Sequence, residues 1–291
     1  MRLGRFDLEV VSDGGFRLDG GAMFGVVPKT LWEKVKPPDE RNRIRMTTNC
    51  LLLRAGADLV LVDTGLGDKH DARFRELYGF EAGARRLPES LRAAGHDVGD
   101  VTHVVLSHLH FDHCGWNTRE QGGRLVPTFP RARYWLERGE VEHARSPNDR
   151  DRASYFPDNW EPLFAAGVVE LFDDESEPIA GVRAVKSPGH NRDMCIVLVD
   201  GRTGGEEGAP GEQRAVFWAD LVPTAAHVPY PWIMGYDLYP LLTLEHKQLW
   251  LPRAAREGWL CVFEHDPDTP LGRLAEEKPG RHRVEPLVAA G

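Results

Sequence analysis

Six consecutive residues, His108-Leu109-His110-Phe111-Asp112-His113, set three imidazoles and a carboxylate directly behind the apolar run Val104-Val105-Leu106. Neutral imidazole nitrogen and carboxylate oxygen are ligands for zinc and other borderline first-row ions, and alternation along an extended segment turns His108 and His110 to one side. Four such groups exceed what one tetrahedral ion takes, and as a bare polar turn they would be costly to bury unpaired. The chemistry they offer is metal-assisted hydrolysis. Two cations roughly 3.5–4 Å apart share a water and lower its pKa from about 15.7 toward 7, giving a nucleophile at neutral pH.

Further ligands are expected where other strands end, because reactive groups collect on loops leaving a rigid sheet. Three runs qualify: Val182–Lys186 leads into Ser187-Pro188-Gly189-His190, Ala215–Ala219 into Asp220, and Leu260–Phe263 into Glu264-His265-Asp266-Pro267. With the first cluster they supply five histidines and two aspartates. That suffices for two ions: His108, His110 and His190 on one, Asp112, His113 and His265 on the other, and Asp220 bridging. Glu264 reads as a group that orients its neighbour or faces solvent rather than as an eighth ligand. Cys114, beside the cluster, reads as packing.

The elements that must hold these groups are a mixture of short strands and helices. Phe6–Val11, Cys50–Arg54 and Leu59–Asp63 carry the apolar or alternating character of strands. Helices are expected at Asp71–Leu77, Pro88–Ala94, Glu137–Arg145, Asn159–Ala166 and Thr243–Glu257, the last bent at Pro252. Gly201–Arg214 reads as a flexible hairpin loop. With 291 residues, 41% of them hydrophobic, the chain can bury a sizeable core, and one layered α/β domain over residues 1–291 is the economical reading. The four cysteines form no C-x-x-C pair and fit reduced thiols. No apolar run approaches the roughly 20 residues of a membrane span, and Met1–Phe6 lacks a signal-peptide core, so a soluble, cytoplasmic protein without a membrane partner is expected. A net charge of −9 opposes nucleic acid as a partner.

Ser107–His113, the Pro188-Gly189-His190 turn, Asp220 and His265 resemble the ordered motifs of the metallo-β-lactamase superfamily, and Asp63-Thr64-Gly65 resembles its first motif, an aspartate that supports the site without binding metal. Asp19–Lys29 and Ala219–Thr224, followed by His227, Trp232, Met234 and Tyr236-Asp237, resemble the branch of quorum-quenching N-acyl-homoserine lactonases. The resemblance runs from about Phe6 to Asp266. It implies a four-layer αβ/βα sandwich of two mixed sheets with helices outside, ligands along one edge, and two divalent ions, zinc first, with iron, manganese or cobalt also admitted by the donor set.

In the lactonase reading a metal-bridging hydroxide attacks the ring carbonyl of a small-molecule lactone or ester, and Asp112 is both ligand and proton shuttle. Lactonases of this branch often place a carbonyl-binding tyrosine three residues past the bridging aspartate; here that position is Pro223. His227 is the substitute expected, with Tyr230 second. Met23, Phe24, Trp116, Trp232 and Met234 are candidates for an acyl-chain pocket. The apolar segment Gly20–Val27 suggests a homodimer contact or a lid.

Other members of the fold offer alternatives. Glyoxalase II-like thioesterases and phosphotriesterases or phosphodiesterases resemble the same ligand set. Class B β-lactamases usually carry cysteine at the position of Asp220. Flavin-coupled di-iron oxidoreductases replace a histidine of the first motif by glutamate.

Overall fold

The computed structural model describes residues 1–202, 213–278 and 280–287. Most of the loop expected at Gly201–Arg214 lies outside the described residues.

The first half builds one sheet from β1 (Arg2–Leu3), β2 (Phe6–Asp19), β3 (Arg43–Ala55), β4 (Asp58–Val62) and β5 (His103–Val105). A separate two-stranded ribbon, β6 (Thr118–Gln121) and β7 (Arg124–Pro127), precedes β8 (Arg133–Glu137) and β9 (Val169–Phe172), which complete that sheet in the order β1-β2-β3-β4-β5-β8-β9. Pairing is antiparallel from β1 to β4 and parallel from β4 to β9. The second sheet takes seven strands in chain order: β10 (Glu175–Ile179), β11 (Val182–Lys186), β12 (Cys195–Asp200), β13 (Arg214–Phe217), β14 (Leu260–Val262), β15 (Leu271–Lys278) and β16 (Arg281–Pro286).

Side-chain alternation explains the layering. In β3 and β4, Leu51, Leu53, Val60 and Val62 join a core shared with Ala184, Val197, Val216 and Val262 of the second sheet. Their neighbours Cys50, Leu52, Leu59 and Leu61 face the other way, into a core with helix residues Leu87, Leu91, Val141 and Leu163. A strand buried on both faces must read as a continuous apolar run, and these do. The helices concerned are among α1 (Gly20–Phe24), α2 (Lys29–Trp32), α3 (Ala72–Leu77), α4 (Leu87–Ala93), α5 (Phe111–Cys114), α6 (Arg138–Arg145), α7 (Glu161–Ala165) and α8 (Pro240–Glu257). The last sets Trp250, Leu251 and Ala254 against the second sheet.

Several boundaries differ from expectation. Strand β2 runs on to Asp19 through a register shift between Ser12 and Gly15. Helix α8 starts at Pro240 rather than Thr243, a proline at the first turn being pre-organised for a helix, and it runs unbroken through Pro252 to a left-handed cap at Gly258. The segment expected at Asn159–Ala166 is split into a 3-10 turn, Pro157–Asn159, and α7, with Pro162 in the first turn of the latter.

Strands β4, β5, β11, β13 and β14 all end at the same edge of the two sheets. Their outgoing loops carry Asp63, His108–His113, His190, Asp220 and His265 respectively.

Candidate metal centre

Two groups of ligating atoms converge at that edge, and within each group they lie within 4.8 Å of one another: His108, His110, His190 and Asp220, and beside them Asp112, His113 and His265. Asp220 faces both. Its Oδ2 is 3.1 Å from His190 Nε2 and its Oδ1 is 3.2 Å from His265 Nε2. The backbone at the site is unusual in the way functional positions are: Asp63 and Ala219 have φ of 55° and 45°, the left-handed region that non-glycine residues rarely occupy.

Three of the five imidazoles are aimed by what the other nitrogen does. His113 Nδ1 lies 3.0 Å from Asp63 Oδ2, His190 Nδ1 3.0 Å from Asp237 Oδ1, and His265 Nδ1 2.8 Å from the Thr47 carbonyl. Those acceptors take the ring N–H and leave the lone pair on Nε2. Asp237 is itself fixed by the Thr243 hydroxyl at 2.7 Å. Asp63 also accepts from the Ser107 hydroxyl at 2.5 Å, so the aspartate of the first motif holds the ligand loop without facing the centre. Glu264, fully buried, brings its Oε2 within 3.0 Å of the same His113 Nδ1, although the hydrogen bond of that nitrogen goes to Asp63.

The donor set fits cations. His190 Nε2 and His110 Nδ1 face each other at 3.0 Å, and His265 Nε2 and His113 Nε2 at 3.2 Å. Facing ring nitrogens so close need a proton or a cation between them. Among the described residues, buried His108 Nε2 and Asp220 Oδ1 have no hydrogen-bond partner. Burial and the neighbouring imidazoles hold His108 and His110 well below the ordinary histidine range, in the neutral form that ligates. Burial opposes charge on His265 as well, but Asp220 and Glu264 overcome it and raise the ring to about 9. His113 and His190 are pulled the same way against burial, His113 chiefly by Glu264 and Asp112, His190 by Asp220 and Asp237. A carboxylate cluster that draws protons onto its histidines is one that draws metal ions when they are present.

A cavity of about 370 Å³ opens over the centre, with His110, Asp112, His190, Asp220 and His265 in its floor. Of the expected pocket residues, Met23 and Met234 line it. Three others point elsewhere: Phe24 is stacked between Trp32 and His227, Trp232 packs edge-on to Phe24, and the Trp116 indole donates to Asp13.

The placement of His227 and Tyr230 corrects the sequence reading. His227 is buried, with Nδ1 2.8 Å from the Thr224 hydroxyl and Nε2 2.8 Å from the Met23 carbonyl, and burial lowers its pKa to about 3. Both ring nitrogens are committed inside the protein. Tyr230 stands near His282, ring centres 5.8 Å apart, in a separate groove that does not include the ligands. The other walls include Leu18, Tyr78, Phe111, Arg150, Asp151, Ser154 and Tyr236. Phe111 lay in view inside the first motif, flanked by ligands; Leu18, Tyr78 and Arg150 are distant in sequence and carry no motif.

Glycine is required at one turn of this edge. Gly189 has φ 152°, and a Cβ there would lie 2.3 Å from Thr243 Oγ1. Only glycine lets this turn pack on α8 and present His190.

The sequence model of the metallo-beta-lactamase superfamily matches residues 43–203, more than half of the chain, and the chain belongs to that superfamily. It is a metal-dependent hydrolase. A probable metallo-hydrolase of Mycobacterium tuberculosis is 29% identical over 264 residues, 80% of this chain and 78% of that one. The N-acyl homoserine lactonase AttM of Rhizobium radiobacter is 37% identical over 184 residues, 62% of this chain and 64% of its own length. The fold matches that of AidC, a dizinc quorum-quenching lactonase solved in complex with a product, with a TM-score of 0.78 at 20% identity over 100% of this chain and 97% of the other. Among the described residues no helix is long and apolar enough to cross a membrane.

Proposed function

We propose that the chain is a dinuclear lactonase that opens N-acyl homoserine lactones, its whole length acting as one catalytic unit. The observation that carries the dinuclear part is Asp220, whose two oxygens each lie within 3.2 Å of a histidine from a different ligand group. The lactone part is supported by the cavity, apolar on Leu18, Met23, Phe111 and Met234 with few polar anchors, and by the relation to AttM and the shared fold of AidC.

Two divalent ions, zinc first and iron, manganese or cobalt by the same donor chemistry, would supply Lewis acidity and a water of near-neutral pKa. His108, His110 and His190 would hold one and Asp112, His113 and His265 the other, with Asp220 shared. Asp112, ligand and cavity wall together, carries a proton from the attacking water to the ring oxygen as the acyl C–O bond breaks. Burial raises the pKa of Tyr78 and Tyr236, keeping both phenols protonated and able to donate to the lactone ring carbonyl. This donor role belongs to them rather than to His227, and Pro223 offers none. The four apolar walls hold the acyl chain and exclude water.

A pH-indicator hydrolysis screen on metal-analysed protein tests this, setting acyl homoserine lactones of several chain lengths against S-lactoylglutathione, a phosphotriester and a β-lactam. Two ions per chain and fastest turnover of a lactone are expected. Much faster turnover of a non-lactone overturns the substrate, and no hydrolysis of any ester or lactone at full metal occupancy overturns the reading altogether.

A further inference from the structure

Outside the ligands and their direct partners, one buried polar group stands out. Glu140, on the inner face of α6, is 2% exposed, and its Oε2 has no hydrogen-bond partner among the described residues. A leucine would fill such a place without the cost of desolvating a carboxyl group. What the carboxyl group does provide is geometry.

We propose that Glu140 and Tyr155 are positioning residues for the three-histidine half of the centre. Glu140 Oε1 accepts a hydrogen bond of 2.8 Å from the Leu109 amide, between ligands His108 and His110, and one of 3.1 Å from the Tyr155 hydroxyl. Asn191, next to ligand His190, donates from Nδ2 to the same hydroxyl at 3.4 Å. A single carboxyl oxygen therefore ties the backbone of one ligand loop to the side chain that follows the third ligand. Tyr155 adds a second tether, its backbone bridging to His110 and its ring 4.8 Å from the His110 imidazole.

The base of the tether is rigid. Glu137 caps α6 by accepting the Glu140 amide at 2.9 Å, and Lys186 joins Glu137 at 3.2 Å to Asp193 at 2.7 Å. Gly139 permits the approach of α6 to the 191–193 turn, since a Cβ there would lie 2.6 Å from Asp193 Cγ. Among the described residues no hydrogen bond of this network reaches Asp112, His113 or His265; His113 is held beside Asp63 and Glu264, and His265 by the Thr47 carbonyl. The two halves share the Ser107 hydroxyl, 3.1 Å from His108 Nδ1 and 3.4 Å from His113 Nδ1, but the bonds of Glu140 and Tyr155 run only to the three-histidine half, and groups that orient ligands at one remove typically change metal affinity by roughly 10–100-fold when removed.

The inference rests on the dinuclear reading, and the test separates the two. Protein loaded with Co(II) is stripped by a competing chelator while the visible band and the bound metal are followed. Two ions per chain give two phases, and a His265→Ala protein identifies which phase belongs to the three-histidine ion. Tyr155→Phe and Glu140→Leu are expected to weaken that ion by about 10–100-fold and leave the other in place. Glu140→Gln, which keeps an acceptor oxygen, is expected to behave as wild type. Tyr155→Phe conserves volume, so a folding failure of Glu140→Leu leaves the test intact. Unmoved affinity in Tyr155→Phe, or equal weakening of both ions, overturns the positioning role. A wild-type protein that takes one ion only sinks the dinuclear reading, while a Tyr155→Phe shift in that ion's affinity still supports the tether.

Discussion

At the scale of single residues, the centre is decided by which nitrogen of each imidazole is already spoken for. Asp63, Asp237 and the Thr47 carbonyl occupy the outer nitrogens of His113, His190 and His265. The same accounting removes His227 from the chemistry, because its two nitrogens bond Thr224 and Met23. His227→Ala is therefore expected to keep both ions and the rate of bound substrate, to destabilise the fold by about 2–4 kcal/mol through the lost stack on Phe24 and the cavity left behind, and to raise KM as Met23 shifts. A kcat drop of a hundredfold with normal metal content would refute this. Tyr236→Phe should do the converse. Losing a donor to the developing oxyanion costs about 10²–10³ in kcat, with Tm unchanged because the residue is 40% exposed and only a hydroxyl is removed. Wild-type kcat in that protein would transfer the role to Tyr78. The seven proposed ligand positions could be read as a convergent cluster because their types cluster or close a strand with a turn; the direction of His227 could not, since proximity in sequence says nothing of which way a loop side chain turns.

At the scale of elements, β2 does more than its alternating start suggests. Ser12-Asp13-Gly14-Gly15 interrupts the alternation of Phe6–Val11, which hides the strand's continuation to Asp19; the structure makes it a bulge, with Asp13 buried. There Asp13 accepts from the Leu87 amide at 2.7 Å, the Trp116 indole at 2.6 Å, the Gly67 amide at 3.0 Å and Arg86 at 3.0 Å, joining β2 to α4 and to the loop after Asp63. Short helices such as α1 and α2, of five and four residues, were equally illegible, because a periodicity of 3.6 cannot show in so few positions. Burial raises the Asp13 pKa from 3.8 to about 6, although Arg86 and the amide and indole donors all favour its charge. The native state then holds that proton to higher pH than the unfolded chain, so the contribution of Asp13 falls as pH rises from about 4 through 6. The loss is about 3 kcal/mol. Urea titrations of wild type and Asp13→Asn should show their stability difference changing by roughly that amount across the window. A pH-independent difference would mean that Asp13 titrates normally.

At the scale of the whole molecule, the centre is a cross-link between the two sheets. His108, His110, Asp112 and His113 leave the first sheet after β5, whereas His190, Asp220 and His265 leave the second after β11, β13 and β14. Each proposed ion takes ligands from both. The layered arrangement followed from the sequence because apolar runs such as Leu59–Val62 and Ala215–Phe217 must be covered on two faces. Which sheet each run joins did not follow, since pairing between distant strands leaves no local trace. The cross-link has a thermodynamic consequence. Metal that binds the native state and not the unfolded chain stabilises it by about 4 kcal/mol when free metal is a thousandfold above Kd, and at about 2 °C per kcal/mol for a chain of this size that is on the order of 8 °C in Tm. Removing metal with a chelator should lower Tm by that much, and restoring it should recover the original value. The gap should shrink as pH falls, because His113, His190 and His265, whose rings the neighbouring carboxylates pull toward the protonated form, must shed a proton to bind metal. A metal-free protein that melts with the loaded one would show that the packed sheets, and not the ions, join the two halves.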